Sequence, residues 1–397
     1  MIFEYIHHDN SREVVHLDTQ EPYNEHFERV NSSNKKEFIQ SFVAKYRAQS
    51  KMVLFDKNHK QLMNYYKERD IGALEGIEAI SSDTQLLFFT SGSTGFPVGA
   101  FKSRRNLEEE VAVLKGLVTK EKIKKVIVTV PFIHIYGVLA GLLLPMALKD
   151  IRLIVKEDFL PYEILEEAEE EETLVVTTPV FIKALAKLSD SPDLSKALFI
   201  SSTGPLQNSD VATFESKYQT RVMQLFGSTE TGGIAYKFSV TELWKPLKKV
   251  NIASVEDKLS VESPFISEYI IDEGSEIKPL KQPFVTEDIV EISKSGFKLL
   301  GRSNKIIKIA GKRISAIAIE NLIESIEGVE KAVVELLYKK ELLRSEQILI
   351  TLQADASVDK RVIKEKISEC YGVLTIPFKV KHVDEIKLSA MGKKILF

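Results

Sequence analysis

Cysteine is nearly absent: the 397-residue chain holds one, Cys370. That excludes an internal disulfide and suits a reducing compartment. Cys370 falls in a helical pattern beside Tyr371 and reads as a packing residue rather than a nucleophile. An excess of one charge is lacking too. The 54 basic and 57 acidic side chains leave a net charge of −3, so no electrostatic case exists for nucleic acid or a strongly anionic membrane. The first residues, Met1 to His8, carry no basic region followed by an apolar core, so no signal peptide is read. The longest apolar run, around 137–148, is too short to span a bilayer. The expected location is cytoplasmic, without integral membrane association. His7, His8, His16 and His26 are scattered, and a metal site there is not expected. No Gly-Lys-Ser/Thr occurs, which excludes a Walker A loop.

What is present is ordinary in composition: 44% hydrophobic and 28% charged residues, as in soluble globular chains, with length for two or three domains. Residues 1–80 offer little beyond a helical repeat over 35–48, marked by Phe38, Ile39, Phe42, Val43 and Tyr46. From residue 85 short β-branched runs at 126–130, 153–155, 174–177, 197–201 and 222–226 alternate with helical stretches at 107–117, 138–148, 162–172, 180–188 and 210–218. That alternation predicts an α/β layer with parallel strands. The acidic run 166–172 reads as a solvated helix face. Residues 250–300 contain short strand-like pieces broken by Pro and Gly, a small β-rich subdomain. After Arg302 the pattern is strand 306–309, helix 317–326, strands 332–337 and 347–352, helix 359–371 and strand 378–382, a small α+β domain on a hinge near 303.

One stretch stands out. The apolar residues 86–89 read as a buried strand running into Thr90, Ser91, Gly92, Ser93, Thr94 and Gly95, then Phe96-Pro97-Val98-Gly99. Glycines permit tight backbone, successive N–H groups converge on an anion, and hydroxyls add donors, so phosphate is a natural guest. A polar linker after a strand is the bland alternative. Four further stretches accompany it: Pro131-Phe132-Ile133-His134-Ile135-Tyr136-Gly137; Ser201-Ser202-Thr203-Gly204-Pro205; Leu225-Phe226-Gly227-Ser228-Thr229-Glu230-Thr231-Gly232-Gly233; and Asp288 followed by Leu300-Gly301-Arg302-Ser303-Asn304 and Gly311. The chain ends Met391-Gly392-Lys393-Lys394-Ile395-Leu396-Phe397.

In this order and spacing the motifs resemble those of the adenylate-forming superfamily of acyl- and aryl-CoA synthetases, adenylation domains and luciferases. The resemblance covers residues 85–397. The segment 102–110, with His134-Ile135-Tyr136-Gly137 and Glu230-Thr231-Gly232-Gly233, is most similar to bacterial AMP ligases of aryl-polyene and fatty-acyl pathways. The resemblance implies a large N-terminal adenylate-forming domain over 1–302, built of layered parallel sheets with helices. Within it, 1–80 is a shortened part and 250–302 the β subdomain. A mobile C-terminal domain follows over 303–397.

It also implies a reaction. A fatty or aryl carboxylic acid and MgATP give an acyl-adenylate and pyrophosphate, and a phosphopantetheine thiol of CoA or an acyl carrier protein then displaces AMP. Each motif takes a role by resemblance. The loop Thr90 to Gly95 clamps the departing phosphates. Thr203, Gly204 and Pro205 form the adenine side, Phe226 offers a flat face for the base, and Gly227 and Ser228 belong to the ATP- and AMP-binding set. Thr229 reaches the α-phosphate and Glu230 holds Mg²⁺. Asp288 grips the ribose and Arg302 donates to ribose or phosphate. Lys393 is the cation inserted during adenylation, His134 the gate between acid and thiol, and Tyr136, Gly137, Gly232 and Gly233 line the acyl pocket. Asn304 is the hinge residue and Gly311 belongs to the thiol channel.

The chain departs from the pattern at Val98, where the loop's lysine is expected and for which Lys102 is a candidate substitute. It departs again at Asn304, Lys387 and Leu396, and Lys394 is an alternative to Lys393. Two other functions stay open: an amino-acid adenylation domain loading a carrier protein, disfavoured by the want of an Asp near Val138 or Gly232, and a degenerate nucleotide-binding regulator. The oligomeric state is not legible.

Overall fold

The computed structural model describes residues 2–17, 20–30, 34–54, 76–89, 98–238, 243–271, 276–303, 306–309, 312–338, 346–355, 358–372, 376–388 and 394–395. The chain forms two compact units, one made of 1–251 with 261–284, the other of 252–260 with 285–397. The β-rich segment expected over 250–302 is therefore divided between them.

The first unit is layered α/β, as expected. Its main sheet has nine strands, in the order 245–246, 232–238, 221–228, 197–201, 173–177, 125–128, 152–156, 2–6 and 12–16. The six strands from Arg221–Ser228 through Ile2–Ile6 run parallel, and antiparallel pairs close each edge. Central strands such as Thr173–Thr177 and Ala197–Ser201 are buried along their whole length. This is why they read as continuous apolar runs rather than alternating ones. Val175, Phe199 and Val222 pack on the helices Pro161–Ala168, Pro179–Ala186 and Asn208–Tyr218 through Ile164, Leu165, Ile182, Leu185, Val211 and Phe214, forming one core.

A second, six-stranded sheet has the order 277–279, 269–271, 99–103, 84–89, 52–54 and 28–29. Its strand Thr84–Phe89 is wholly buried and is the expected strand at 86–89. The helix Arg104–Val118 leaves strand Gly99–Ser103 directly. Ser103 and Asn106 cap it reciprocally, with side chain to backbone distances of 3.1 and 2.9 Å. The expected helix at 138–148 is a continuous rod over 135–147, whose middle, Leu139–Leu143, widens to a π turn. The helix expected over 162–172 stops at Ala168. In the acidic run that follows, Glu171 pairs with Arg152, while Glu167, at the end of the helix, pairs with Arg12.

The second unit has a four-stranded sheet and an α+β core. Strands Val329–Tyr338, Glu346–Ala354 and Phe378–His382 are covered by helices Ala316–Glu324 and Lys360–Tyr371, and Ile319, Ile323, Ile350, Leu352, Ile363 and Ile367 fill the space between. The strands Lys387–Leu388 and Lys394–Ile395 pair as a terminal antiparallel ladder. Cys370 is exposed on its helix, so the expected packing role does not hold. Among the described residues, no helix is long and apolar enough to cross a membrane.

Candidate active site

The described motifs of the first unit follow the ends of its parallel strands. Strand Ala197–Ser201 leads into Thr203, whose φ of +79° is a left-handed conformation that costs a β-branched residue. Thr203 is half-buried, and Gly204 and Pro205 are exposed. The next parallel strand, Arg221–Ser228, returns as the antiparallel strand Gly232–Phe238, and a bulge after Phe226 places Gly227 opposite Gly233 and Ser228 opposite Gly232. The turn between is closed by its own hydroxyls. Ser228 N–H donates to Thr231 Oγ1 at 3.1 Å, Thr231 N–H to Ser228 Oγ at 3.2 Å, and Thr231 Oγ1 to the Gly232 carbonyl at 2.9 Å. Thr229 and Glu230 thus sit at the tip of a rigid turn, both half-buried. Phe226, expected as the base's flat face, is half-buried with its ring 5.4 Å from that of Trp244. Trp244 is a neighbour the sequence did not announce.

His134 is half-buried and precedes the rod 135–147. The Tyr136 hydroxyl donates to the carbonyls of Thr177 and Ile200 at 3.0 and 2.8 Å, tying the ends of two adjacent strands together. Burial pushes its phenol far above the usual range. Gly137 is required for close packing, because a Cβ there would lie 2.0 Å from the Pro131 carbonyl oxygen.

Lys102 is fully buried, and its ammonium donates to the carbonyls of Phe265 at 2.6 Å and Glu230 at 3.0 Å. Nothing in this geometry supports its standing in for the loop lysine: the charge is committed to main chain inside the protein. Glu110, also buried, accepts from the Gly233 N–H at 2.8 Å. Desolvation pushes the Lys102 ammonium down and the Glu110 carboxyl up, each opposed by the other's charge. Glu110 went unnoticed in the sequence, where it closes an acidic triplet on a helix. Its only signal was the apolar Leu107 and Val111 on the same side.

Asp288 and Arg302 belong to the second unit and are register partners on the antiparallel strands Phe284–Ser293 and Gly296–Arg302, with Nε 3.8 Å from Oδ1. Thr90, Ser91, Gly92, Ser93, Thr94, Gly95, Asn304, Gly311 and Lys393 fall outside the described residues. Lys394 is described, and it is occupied. Its ammonium meets Glu324 at 2.5 Å, the Ala332 carbonyl at 2.7 Å and Glu320 at 3.1 Å, all within the second unit.

Comparison with known proteins is consistent with this arrangement. A model of the AMP-binding enzyme family matches residues 10–279. A 3,4-dihydroxybenzoate–[aryl-carrier protein] ligase of Bacillus anthracis is 21% identical over 334 residues, covering 83% of this chain and 76% of the relative. A 4-coumarate–CoA ligase of Halorhodospira halophila is 23% identical over 331 residues, covering 82% and 79%. Among solved structures, ATP-bound MatB from Rhodopseudomonas palustris superposes with a TM-score of 0.76 at 17% identity, covering 99% of this chain and 93% of that one.

Proposed function

The chain belongs to the AMP-binding enzyme family, and from that premise we propose that it joins a fatty or aryl carboxylic acid to a thiol, with MgATP converted to AMP and pyrophosphate. The acid's carboxylate oxygen attacks the α-phosphorus and pyrophosphate leaves. The resulting mixed anhydride is opened at its carbonyl by a phosphopantetheine thiol, of CoA or of an acyl carrier protein, and AMP departs as the thioester forms.

The observation that carries this reading is the self-bonded turn Ser228–Thr231, which presents Thr229 and Glu230 on a fixed main chain at the end of a parallel strand. Phosphoryl-type chemistry asks for positioned donors and charge neutralisation more than covalent help, and a stiff turn is how a protein supplies position. Thr229 is assigned to the α-phosphate, and the loop Thr90–Gly95 to the phosphates that leave. Thr203, Gly204, Pro205 and Phe226 take the adenine side. Asp288 and Arg302 take the ribose.

Mg²⁺ would be held by the Glu230 carboxylate together with the nucleotide's own phosphates, neutralising charge on the departing oxygens. Among the described residues no cluster of three or more His, Cys, Asp or Glu side chains exists. A single carboxylate suits an ion that keeps its waters and takes most ligands from substrate. Lys393 is assigned to adenylation, on a tail that withdraws by rotation near Asn304 before the thiol enters along Gly311. His134 gates the two routes.

The relatives' own substrates, an aryl acid on a carrier protein and a coumarate on CoA, support the acid–thiol class. The test is carboxylate-dependent ATP–pyrophosphate exchange across fatty and aromatic acids, followed by loading of the active acid onto carrier protein and CoA side by side. Exchange should rise with one group of acids. Folded protein whose exchange never exceeds the acid-free background would overturn the reading.

A further inference from the structure

Within that function, we propose that Lys102 and Glu110 are positioning residues that clamp the turn bearing Glu230, one at its tip and the other at the start of the strand that follows it. The inference rests on the functional reading only for its kinetic consequence; the clamp itself is a statement about main chain.

Lys102 lies in the middle of strand Gly99–Ser103, whose other residues are also buried, and it faces Leu86 in the ladder. An apolar side chain would be the ordinary occupant. Replacing buried ions by apolar groups of similar size is often neutral or stabilising, so stability is a poor reason for a lysine here. Its contacts give a better one. The ammonium holds the Glu230 carbonyl, which also accepts the Ser267 N–H at 2.8 Å, and the Phe265 carbonyl beside it.

Three residues further along, the Gly233 N–H is held by Glu110. Gly232 adopts φ +69°, and a Cβ there would meet Glu110 Oε2 at 2.4 Å; at Gly233 it would meet Oε1 at 2.9 Å. The glycine pair exists to let the carboxylate reach the backbone. The Glu230 carbonyl at the tip and the Gly233 N–H on the returning strand are thus each held by a buried side chain, the Lys102 ammonium and a Glu110 carboxyl oxygen. The segment between has no freedom to shift along the hairpin.

Hydrogen exchange and kinetics together decide the matter. In Lys102→Met/Glu110→Leu, exchange of the amides at 230–233 should accelerate about tenfold, the worth of a lost buried hydrogen bond. The remainder of the first unit should keep its protection. Its kcat for acid-dependent ATP–pyrophosphate exchange should fall about 10²-fold with KM for ATP within about threefold, the mark of misplacement rather than lost binding. Glu110→Gln keeps the acceptor for Gly233 and removes only charge, so it should retain protection at Gly233 and most of kcat. It also serves where the double variant does not fold. Native protection of 230–233 in the double variant, or Glu110→Gln as unprotected at Gly233 as the double variant, would overturn the clamp. If no acid supports exchange in the unaltered protein, the functional reading fails while hydrogen exchange still settles the clamp.

Discussion

In the first unit Lys102 is fully enclosed and meets two carbonyls, whereas in the second Lys394 keeps 24% of its side chain exposed and meets two carboxylates. The environments do different things to a charge. Around Lys102 water is excluded, so the ammonium's hydrogen bonds to main chain are strong, and removing it takes a buried donor from the carbonyls of Phe265 and Glu230. Around Lys394 solvent screens the pair, and such contacts are worth about 0–1 kcal/mol each. The first arrangement suits a platform that must not move during chemistry. The second suits a tail that has to be held, but not tightly. The same contrast runs through the cores. The central strands Thr173–Thr177 and Ala197–Ser201 of the nine-stranded sheet are buried along their length, while the strand Phe378–His382 in the second unit keeps only Phe378 buried.

The hardest way to break the comparison is to hollow each core. Phe199, wholly buried against Phe214 with ring centroids 4.8 Å apart, should cost about 3–5 kcal/mol on replacement by Ala; Ile350 in the second unit should cost about 2–5. In calorimetry, each substitution should lower one transition and leave the other in place. A single transition that moves with both would mean that the units unfold together.

Next in size are the two tail lysines. Lys393→Ala should reduce ATP–pyrophosphate exchange about 10²- to 10³-fold, the loss typical of one buried transition-state contact. Thioester formation from preformed acyl-adenylate should be spared. Lys394→Met should cost under about tenfold, because it removes a partly solvated tether. The carboxylates of Glu320 and Glu324 already occupy Lys394, which is the physical reason for preferring Lys393. Loss of exchange in the Lys394 variant alone would reverse the assignment.

The same contrast explains what could be read from the chain. The strand at 197–201 coincides with the expected one, since a buried run bounded by polar turns leaves little choice. The strands Ile2–Ile6 and Arg12–His16 were not legible. They mix Glu4, Arg12 and Glu13 with apolar residues, as an edge with one wet side allows, and their place is set by pairing with Arg152–Lys156 far along the chain. The site was legible as motif but not as support. Glu230 announced itself beside its glycines, whereas the burial of Lys102 and Glu110 depends on Phe265 and Gly233, which only tertiary structure brings near. From the sequence Lys102 is a candidate substitute for the loop lysine at Val98, whereas its hydrogen bonds in the fold go to main-chain carbonyls.

The smallest expected effects concern helix caps, where the units differ in chemistry. Ser103, which caps the first unit's helix Arg104–Val118, does not titrate. In the second unit Ser315 caps Ala316–Glu324, and Ser315→Ala should cost about 1 kcal/mol of that unit's stability. Asp359 caps Lys360–Tyr371 by accepting the N–H groups of Val362 and Arg361 at 3.0 and 2.8 Å. Those bonds, the one from Val362 foremost, hold its carboxyl below the usual 3.8. The unfolded chain therefore takes up this proton first as pH falls, so the stabilisation is complete above the ordinary value and lost as pH drops through the depressed one. Asp359→Asn keeps an oxygen over the same N–H groups without a titrating proton. It should leave the second unit's melting temperature nearly unchanged at pH 7 and flatten its decline below about pH 4. An acid limb equally steep in the Asp359→Asn variant would assign the sensitivity to other groups than the Asp359 cap.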